Sequence, residues 1–306
     1  LITLAALFSF LIGYSQTNEI DSLILNLAYQ KQDTTKVDTS VDLIKALYDA
    51  NDLKKALLFI QETERLAKSL NYARGLAEVN FYKARIYIYN NDYYNAIDHF
   101  NKSKQFYNKI NDTLGIAKIN NSLGLIEINR GNYNKGLEYS LSAIKIFEAK
   151  NLRKDLSMAY NNLAEAYQNT QQIDKALEFN FKALNIREQL RDSSGIKLSN
   201  INIASLYSKR KEHRKSIEYY EKVLKLLKTS SDRALRGEIL PSIGAEYLNY
   251  KDYEKAESYL AEGLTFNKSI GNEKGILRTL NSMGNLNLKQ NKTKLAESQI
   301  LEARQL

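Results

Sequence analysis

Small residues recur every forty positions along most of this 306-residue chain, and this periodicity limits its possible folds more than any other feature. The first column of small residues holds Ala84, Gly124, Ala164, Ala204, Gly244 and Gly284. The second column holds Ala56, Ala96, Gly136, Ala176, Ser216, Ala256 and Ala296. Small residues allow two helices to pack closely, while large neighbours fill the adjacent space. A fixed period of this length indicates a solenoid of stacked repeats.

Each repeat is predicted to consist of two helices joined by turns. The chain has one proline, and because proline breaks helix interiors, its near absence favours an all-α fold. Asn, Gly and Asp lie between the two columns, as in Asn129–Asn134, and such residues end one helix and cap the next. A second set of turns closes on Gly115, Gly195 and Gly275. We therefore expect a helix A, a short turn, a helix B and a longer turn in each repeat.

This spacing resembles that of the tetratricopeptide repeat (TPR) family. An aromatic residue follows the first column by three positions, at Tyr87, Tyr167, Tyr207 and Tyr247. The family's usual repeat has about 34 residues, and the longer repeat seen here is similar to those of kinesin light chains and Rap-type bacterial regulators. The resemblance implies a right-handed α-solenoid of antiparallel helix pairs, a TPR superhelix. It implies about six full repeats after a degenerate first one.

The chain is predicted to contain three regions. Residues 1–15 are apolar up to Ile12 and then small and polar, which is typical of a secretory signal that lacks its first residues. The alternative for this region is a buried N-terminal helix. Residues 16–35 are predicted to form a capping helix and linker. The TPR array covers 36–306 with an incomplete last unit, and its units are 36–72, 73–112, 113–152, 153–192, 193–232, 233–272 and 273–306.

The sequence offers little material for catalysis. There is no cysteine, and of the two histidines, His99 occupies a helix B column otherwise filled by Phe and Tyr, which predicts a packing role. His213 occupies a turn column that also holds tyrosines, and we interpret it in the same way. No catalytic triad or metal-ligand pattern can be assembled. We expect no enzymatic activity, no cofactor and no metal site.

A formal net charge of +9 raises the question of an anionic partner. The densest basic cluster is Ser208–Ser216, which can be interpreted as an anion-binding patch or as a solvated turn in a lysine-rich chain. No aromatic platform or groove-entering element accompanies this cluster, although nucleic-acid binding would call for one. We therefore expect no nucleic-acid partner.

In TPR superhelices helix A lines a concave groove, so the resemblance places candidate binding residues on that helix. The candidates for contacting a peptide or protein are Asn121, Asn161, Asn162, Asn202, Asn281, Arg85 and Glu165. A carboxamide both donates and accepts hydrogen bonds, so a row of asparagines can hold an extended peptide backbone whatever its sequence. The alternative is that the row only reflects composition, because asparagine is common throughout the chain and Phe81, Ile201 and Pro241 interrupt the row.

Together these observations predict a non-catalytic scaffold that binds protein or peptide. The chain resembles the exported N-terminal TPR arrays of Bacteroidetes signalling proteins, in which a membrane helix and a histidine kinase or helix-turn-helix domain follow the array. That resemblance implies export to the periplasm, and membrane contact only through a segment beyond residue 306. Two alternatives stay open: a stand-alone periplasmic scaffold, and a cytosolic regulator similar to the Rap proteins.

Overall fold

The computed structural model describes residues 18–228, 230 and 232–304. Over these residues the chain folds into α-helices joined by short turns, in sequential antiparallel pairs. The fold is an all-α solenoid of helix pairs, as the periodicity predicts. The predicted secretory signal lies outside the described residues, so that assignment stays a prediction.

The helices follow one another at intervals of about twenty residues from α2 onward. They are α1 (18–29), α2 (Thr34–Asp49), α3 (Leu53–Ser69), α4 (Ala73–Tyr89), α5 (Tyr93–Lys109), α6 (Thr113–Asn129), α7 (Tyr133–Ala149), α8 (Arg153–Asn169), α9 (Ile173–Gln189), α10 (Ser193–Lys209), α11 (His213–Leu227), α12 (Arg233–Asn249), α13 (Tyr253–Ser269), α14 (Glu273–Lys289) and α15 (Thr293–Arg304). From α2 onward, even-numbered helices correspond to helix A and odd-numbered helices to helix B.

In most repeats the turns before and after helix B have the same length, so the expectation of a longer second turn is wrong there; the turn after α11 is the exception, with five residues between Leu227 and Arg233. Three residues separate α4 from α5, and three separate α5 from α6. The residues expected in the longer turn instead extend the helices, and α4, α5 and α6 each span 17 residues. Gly115 lies within the first turn of α6, where an added Cβ would lie 2.5 Å from a ring carbon of Tyr107. This glycine therefore allows close packing against a ring and does not form a turn.

Most turns end one helix and start the next through the same backbone geometry. In the turn between α4 and α5, Asn91 adopts a positive φ of 59°, and the backbone N–H of Asp92 donates to the carbonyl of Tyr87 at 2.9 Å. This is the Schellman pattern for a helix C-terminus. The side chain of Asp92 then accepts a hydrogen bond from the backbone N–H of Asn95 and caps the next helix. The Asn-Asp pair thus encodes both ends of the turn.

The small residues of both columns are buried. The first column is buried in the even-numbered helices from α4 to α14, and the second in the odd-numbered helices from α3 to α15. At Gly124 an added Cβ would lie 2.7 Å from Ser140 Oγ and 3.2 Å from the carbonyl oxygen of Gly136. The backbones of α6 and α7 therefore approach so closely that only a very small residue fits at this position.

The helices group into two compact units, Leu1–Ala166 and Tyr167–Leu306, with the boundary inside α8. The N-terminal unit has one main apolar core, in which Leu43, Phe100 and Ile126 are buried. The C-terminal unit has smaller clusters, such as the one around Ile203 and Leu206 and the one around Ile239 and Ile243. Each unit is thus stabilised by its own apolar contacts.

Helix α1 packs against the first repeat. Leu27 is buried in the core of the N-terminal unit, and Ile20 and Leu23 pack against that core from the same helix. In α2 the first-column position is filled by Ile44, which is fully buried. None of the described helices is long and apolar enough to span a membrane.

Candidate functional site

The A helices of the N-terminal unit lie side by side. Helix α4 contacts α6, and α6 is joined to α8 by the side chains of Asn121 and Asn162. The Asn162 carboxamide donates to Asn121 Oδ1 at 3.0 Å and to the Asn121 carbonyl oxygen at 3.3 Å. The two residues are 41 positions apart, so this pair links neighbouring repeats. The same faces of α4, α6 and α8 carry most of the predicted binding residues, and we call them the A-helix face.

The two asparagines of this pair have different environments. Asn162 is buried, and its donor group is used by Asn121. Asn121 is half-buried, and its own NH₂ group has no hydrogen-bond partner among the described residues. Asn162 is therefore a contact between repeats, whereas Asn121 offers free donors to a ligand. Asn161, one residue before Asn162, is also half-buried.

Arg85 lies on α4 and is held by aromatic rings. Its guanidinium carbon lies 4.2 Å from the ring centroid of Tyr48 and within 6.0 Å of the rings of Phe81 and Tyr82. Such stacking is a cation–π contact, which Arg makes through the flat face of its guanidinium group. No carboxylate of the described residues forms an ion pair with Arg85. Its N–H groups are therefore available at the edge of the guanidinium plane.

Glu165 lies on α8, one helical turn after Asn161, and residues three or four apart share a helix face. It is half-buried, and burial raises the pKa of its carboxyl group. It forms no ion pair or hydrogen bond with the described residues. Glu165 is thus a partly desolvated carboxylate for which the protein supplies no partner.

Two other predicted residues lie in the C-terminal unit. Asn202 is half-buried on α10, and Asn281 is exposed on α14. A buried carboxylate of this unit, Glu246, is not among the predicted site residues. Its carboxylate accepts a hydrogen bond from Ser208 Oγ at 2.5 Å and lies 2.8 Å from His213 Nδ1. His213 therefore pairs with a buried carboxylate, which differs from the expected aromatic packing.

His99 has the packing role that its column predicts. Its ring stacks on Tyr87 with centroids 5.4 Å apart and planes 8° from parallel. The equivalent positions form the same kind of stack in Tyr167–Phe179 and Tyr207–Tyr219. Burial, with the charges of nearby lysines, lowers the pKa of His99.

Part of the basic cluster at Ser208–Ser216 is neutralised by its own neighbours. Arg210 pairs with Asp174 and with Glu212, each at 2.7 Å. Lys215 pairs with Glu212 at 2.6 Å and lies 5.1 Å from the ring centroid of Tyr207. These contacts favour the interpretation of the cluster as a solvated turn. Among the described residues no group of His, Asp and Glu side chains could hold a metal ion.

Part of the chain matches a known repeat family in sequence. Residues 115–189 and 155–229 match the tetratricopeptide repeat family model. These segments extend from the first turn of α6 to the end of α11 and include Asn121, Asn162 and Glu165. No curated protein matches the chain in sequence.

Solved structures extend the likeness to most of the chain. A STAND signal transduction ATPase with a TPR sensor, from Pyrococcus horikoshii, matches 89% of this chain and 42% of its own, with a TM-score of 0.73 and 15% identity. The apo quorum sensor NprR from B. thuringiensis matches 88% of this chain and 75% of its own, with a TM-score of 0.71 and 19% identity. A Rap protein complexed with competence and sporulation factor matches 95% and 98%, with a TM-score of 0.64 and 10% identity. At these identities the likeness shows a TPR-like fold alone.

Proposed function

We propose that the chain is a non-catalytic scaffold that binds an extended peptide or protein segment across the A-helix face of its N-terminal unit. The observation that carries this proposal is the Asn121–Asn162 pair, which fixes one asparagine between repeats and leaves the other with free donors. Asn121 can donate to a peptide carbonyl without reading the identity of the peptide side chain. A TPR-like fold supplies several such positions on adjacent helices.

The structural neighbours support binding of a signalling factor. NprR is described as a quorum sensor, and the Rap protein was solved with competence and sporulation factor. Both superpose on most of this chain. A ligand-sensing role is therefore the function that we propose for the repeat array, in place of catalysis. The histidine residues are consistent with this proposal, because His99 is stacked and His213 is paired with Glu246.

The proposal is tested by asparagine variants of the full chain. Peptides are selected from a random library, and their affinity is measured by fluorescence anisotropy. Asn121→Ala should weaken binding by about tenfold or more, because a peptide carbonyl in a partly dry site loses its donor. Asn162→Ala should mainly reduce stability, by about 1 kcal/mol, because it removes a hydrogen bond between repeats.

Two controls distinguish this site from other surfaces. Asn101→Ala removes the same side chain from an exposed position on helix α5 and should leave affinity unchanged. Lys211→Ala with Arg214→Ala changes the basic turn and should alter only the salt dependence of binding. Loss of binding in the basic-turn variant, with normal binding by Asn121→Ala, would reject the A-helix face as the binding site.

We further propose that the chain is the exported sensory part of a larger signalling protein, similar to those of Bacteroidetes. The apolar run up to Ile12 supports export. The alternatives are a stand-alone periplasmic scaffold and a cytosolic Rap-like regulator. Expressed from its full gene in a secreting bacterium, the protein should lose everything before about Gln16, as intact-mass measurement would detect. Recovery of an uncleaved cytosolic protein would support the Rap-like alternative.

A further inference from the structure

Two charged side chains occupy the same repeat position, two repeats apart, on the A-helix face. Arg85 on α4 and Glu165 on α8 each follow the first small column by one residue, and Leu125 occupies this position on α6 between them. All three residues are half-buried. Neither charge is neutralised by an ion pair within the described part of the chain. The face therefore carries a positive and a negative end with an apolar residue between them.

Comparison with other carboxylates shows that Glu165 is unusual. Burial opposes the charge of Glu64 and of Glu127, but hydrogen bonds from lysines outweigh burial and lower the pKa of both groups. Lys83 lies 3.0 Å from Glu64, and Lys135 lies 2.8 Å from Glu127. Burial also opposes the charge of Glu165, but no cation of the described residues lies beside it. A charged group in this situation is stabilised when a ligand brings the missing partner.

Arg85, at the other end of the face, is positioned to bind a negatively charged group. The ring of Tyr48 holds one face of the guanidinium group at 4.2 Å, so the side chain is ordered before a ligand arrives. The free N–H edge of an ordered guanidinium fits a carboxylate through two parallel hydrogen bonds. The positive end of the face is thus suited to a carboxylate group, and the negative end to an ammonium or guanidinium group.

The separation of these ends sets the length of the ligand. Packed helices lie about 8–10 Å apart, so α4 and α8, with α6 between them, place the two positions about 16–20 Å apart. An extended peptide advances about 3.3 Å per residue, so about five or six residues span this distance. We propose that the A-helix face binds an extended peptide in one direction, with a carboxylate at Arg85 and a basic group about five or six residues away at Glu165. This inference rests on the peptide binding proposed above and adds its charge order.

The test uses synthetic peptides with a neutral, extended middle segment. One carries an acidic and a basic residue five or six positions apart, the second has the two charges exchanged, and the third has them only two positions apart. The full chain should bind the first peptide about tenfold more tightly than the other two. Acetylated and amidated versions decide whether the charges come from side chains or from the peptide termini. Equal affinity for all three peptides would overturn the charge order.

Variants assign each charge to its site. Glu165→Gln should remove the preference for a basic group, and Arg85→Gln should remove the preference for a carboxylate. Glu165→Gln should also melt at the same or a higher temperature, because it removes an unpaired, partly buried charge. A large fall in its melting temperature would mean a structural role and would overturn the assignment. If uncharged peptides still bind and depend on Asn121 while both Gln variants retain wild-type charge preferences, the proposed function stands and the charge order fails.

Discussion

His99 replaces an aromatic residue, and its titration makes this position sensitive to acid. Burial, together with Lys83 and Lys102, lowers its pKa from the ordinary 6.5, while Asp98 and Glu64 act in the opposite direction. Unfolding exposes the ring and restores the ordinary pKa, so the unfolded chain binds more protons at acid pH. The contribution of this residue to stability is therefore fully present above pH 6.5 and is lost as the pH falls toward the lowered, folded pKa.

His99→Phe should reduce this sensitivity to acid. Phenylalanine occupies the same column at Phe59 and Phe179, so the variant should keep the stack with Tyr87. The variant loses the hydrogen bond between His99 Nδ1 and Asn80 Oδ1, which are 2.9 Å apart. This loss should lower the free energy of unfolding by about 1 kcal/mol at every pH. Urea midpoints at pH 8 and pH 5 should therefore differ less in the variant than in the wild type. The same difference in both proteins would mean that His99 does not titrate as its burial predicts.

At the scale of single residues, the sequence predicts burial better than it predicts partners. Glu127 stands where the aromatic column has tyrosine in other repeats, and the structure pairs its carboxylate with Lys135 and Asn132, which the spacing does not predict. The asparagine row identifies Asn162, but its carboxamide contacts Asn121 in the neighbouring repeat. Burial follows from helical period, whereas a partner 41 residues away depends on how neighbouring helices pack. Only the structure therefore distinguishes the side chains of the A-helix face that are free from those that already have a partner.

At the scale of elements, the sequence predicts the turns between helices only in part. The sequence predicts that helices alternate and where the short turn between helix A and helix B lies, and the structure confirms both. It does not predict the equal turns, because a glycine at position 115 indicates a turn, whereas the structure packs Gly115 against Tyr107 within α6. A glycine can be required either because the backbone adopts a positive φ or because another group packs closely against it. The sequence alone does not distinguish these two cases.

Lys251 occupies the middle of the turn between α12 and α13 with a φ of 67°. A residue with a side chain is strained in this left-handed conformation, whereas glycine is not. Lys251→Gly should therefore raise the free energy of unfolding by about 0.5–1 kcal/mol, after the greater chain entropy of glycine is subtracted. Chemical denaturation measures this change. Gly271→Ala, at an equivalent turn with a φ of 65°, is the converse control and should destabilise by a similar amount. Two changes of the same sign would contradict the backbone explanation.

For the whole molecule, stability depends on contacts between elements that are close in sequence. Helix α4 contacts α2, α3, α5 and α6, all within the N-terminal unit. In such an array the total stability is approximately a sum over repeats and their interfaces. The A-helix face is built from three successive repeats, so its binding should depend on the packing of each one. A packing defect in α6 is therefore expected to affect both folding and binding.

Gly124→Leu tests this dependence. An added Cβ would already lie 2.7 Å from Ser140 Oγ and 3.2 Å from the carbonyl oxygen of Gly136, so the larger side chain must push α6 and α7 apart. Overpacking of this kind costs about 1–3 kcal/mol. Urea denaturation should show this loss, and peptide affinity should fall as well, because Asn121 lies on the displaced helix.

Gly131→Asn is the matched control. This glycine has a positive φ of 83°, and an added Cβ would have no neighbour within 4 Å. Asparagine adopts the same conformation in the equivalent turn at Asn91, so the variant should change stability by about 0.5 kcal/mol or less and keep its affinity for peptide. If Gly131→Asn is as damaging as Gly124→Leu, close helix packing is not what the first column of small residues provides. If Gly124→Leu loses stability but binds peptide normally, the binding face does not include α6.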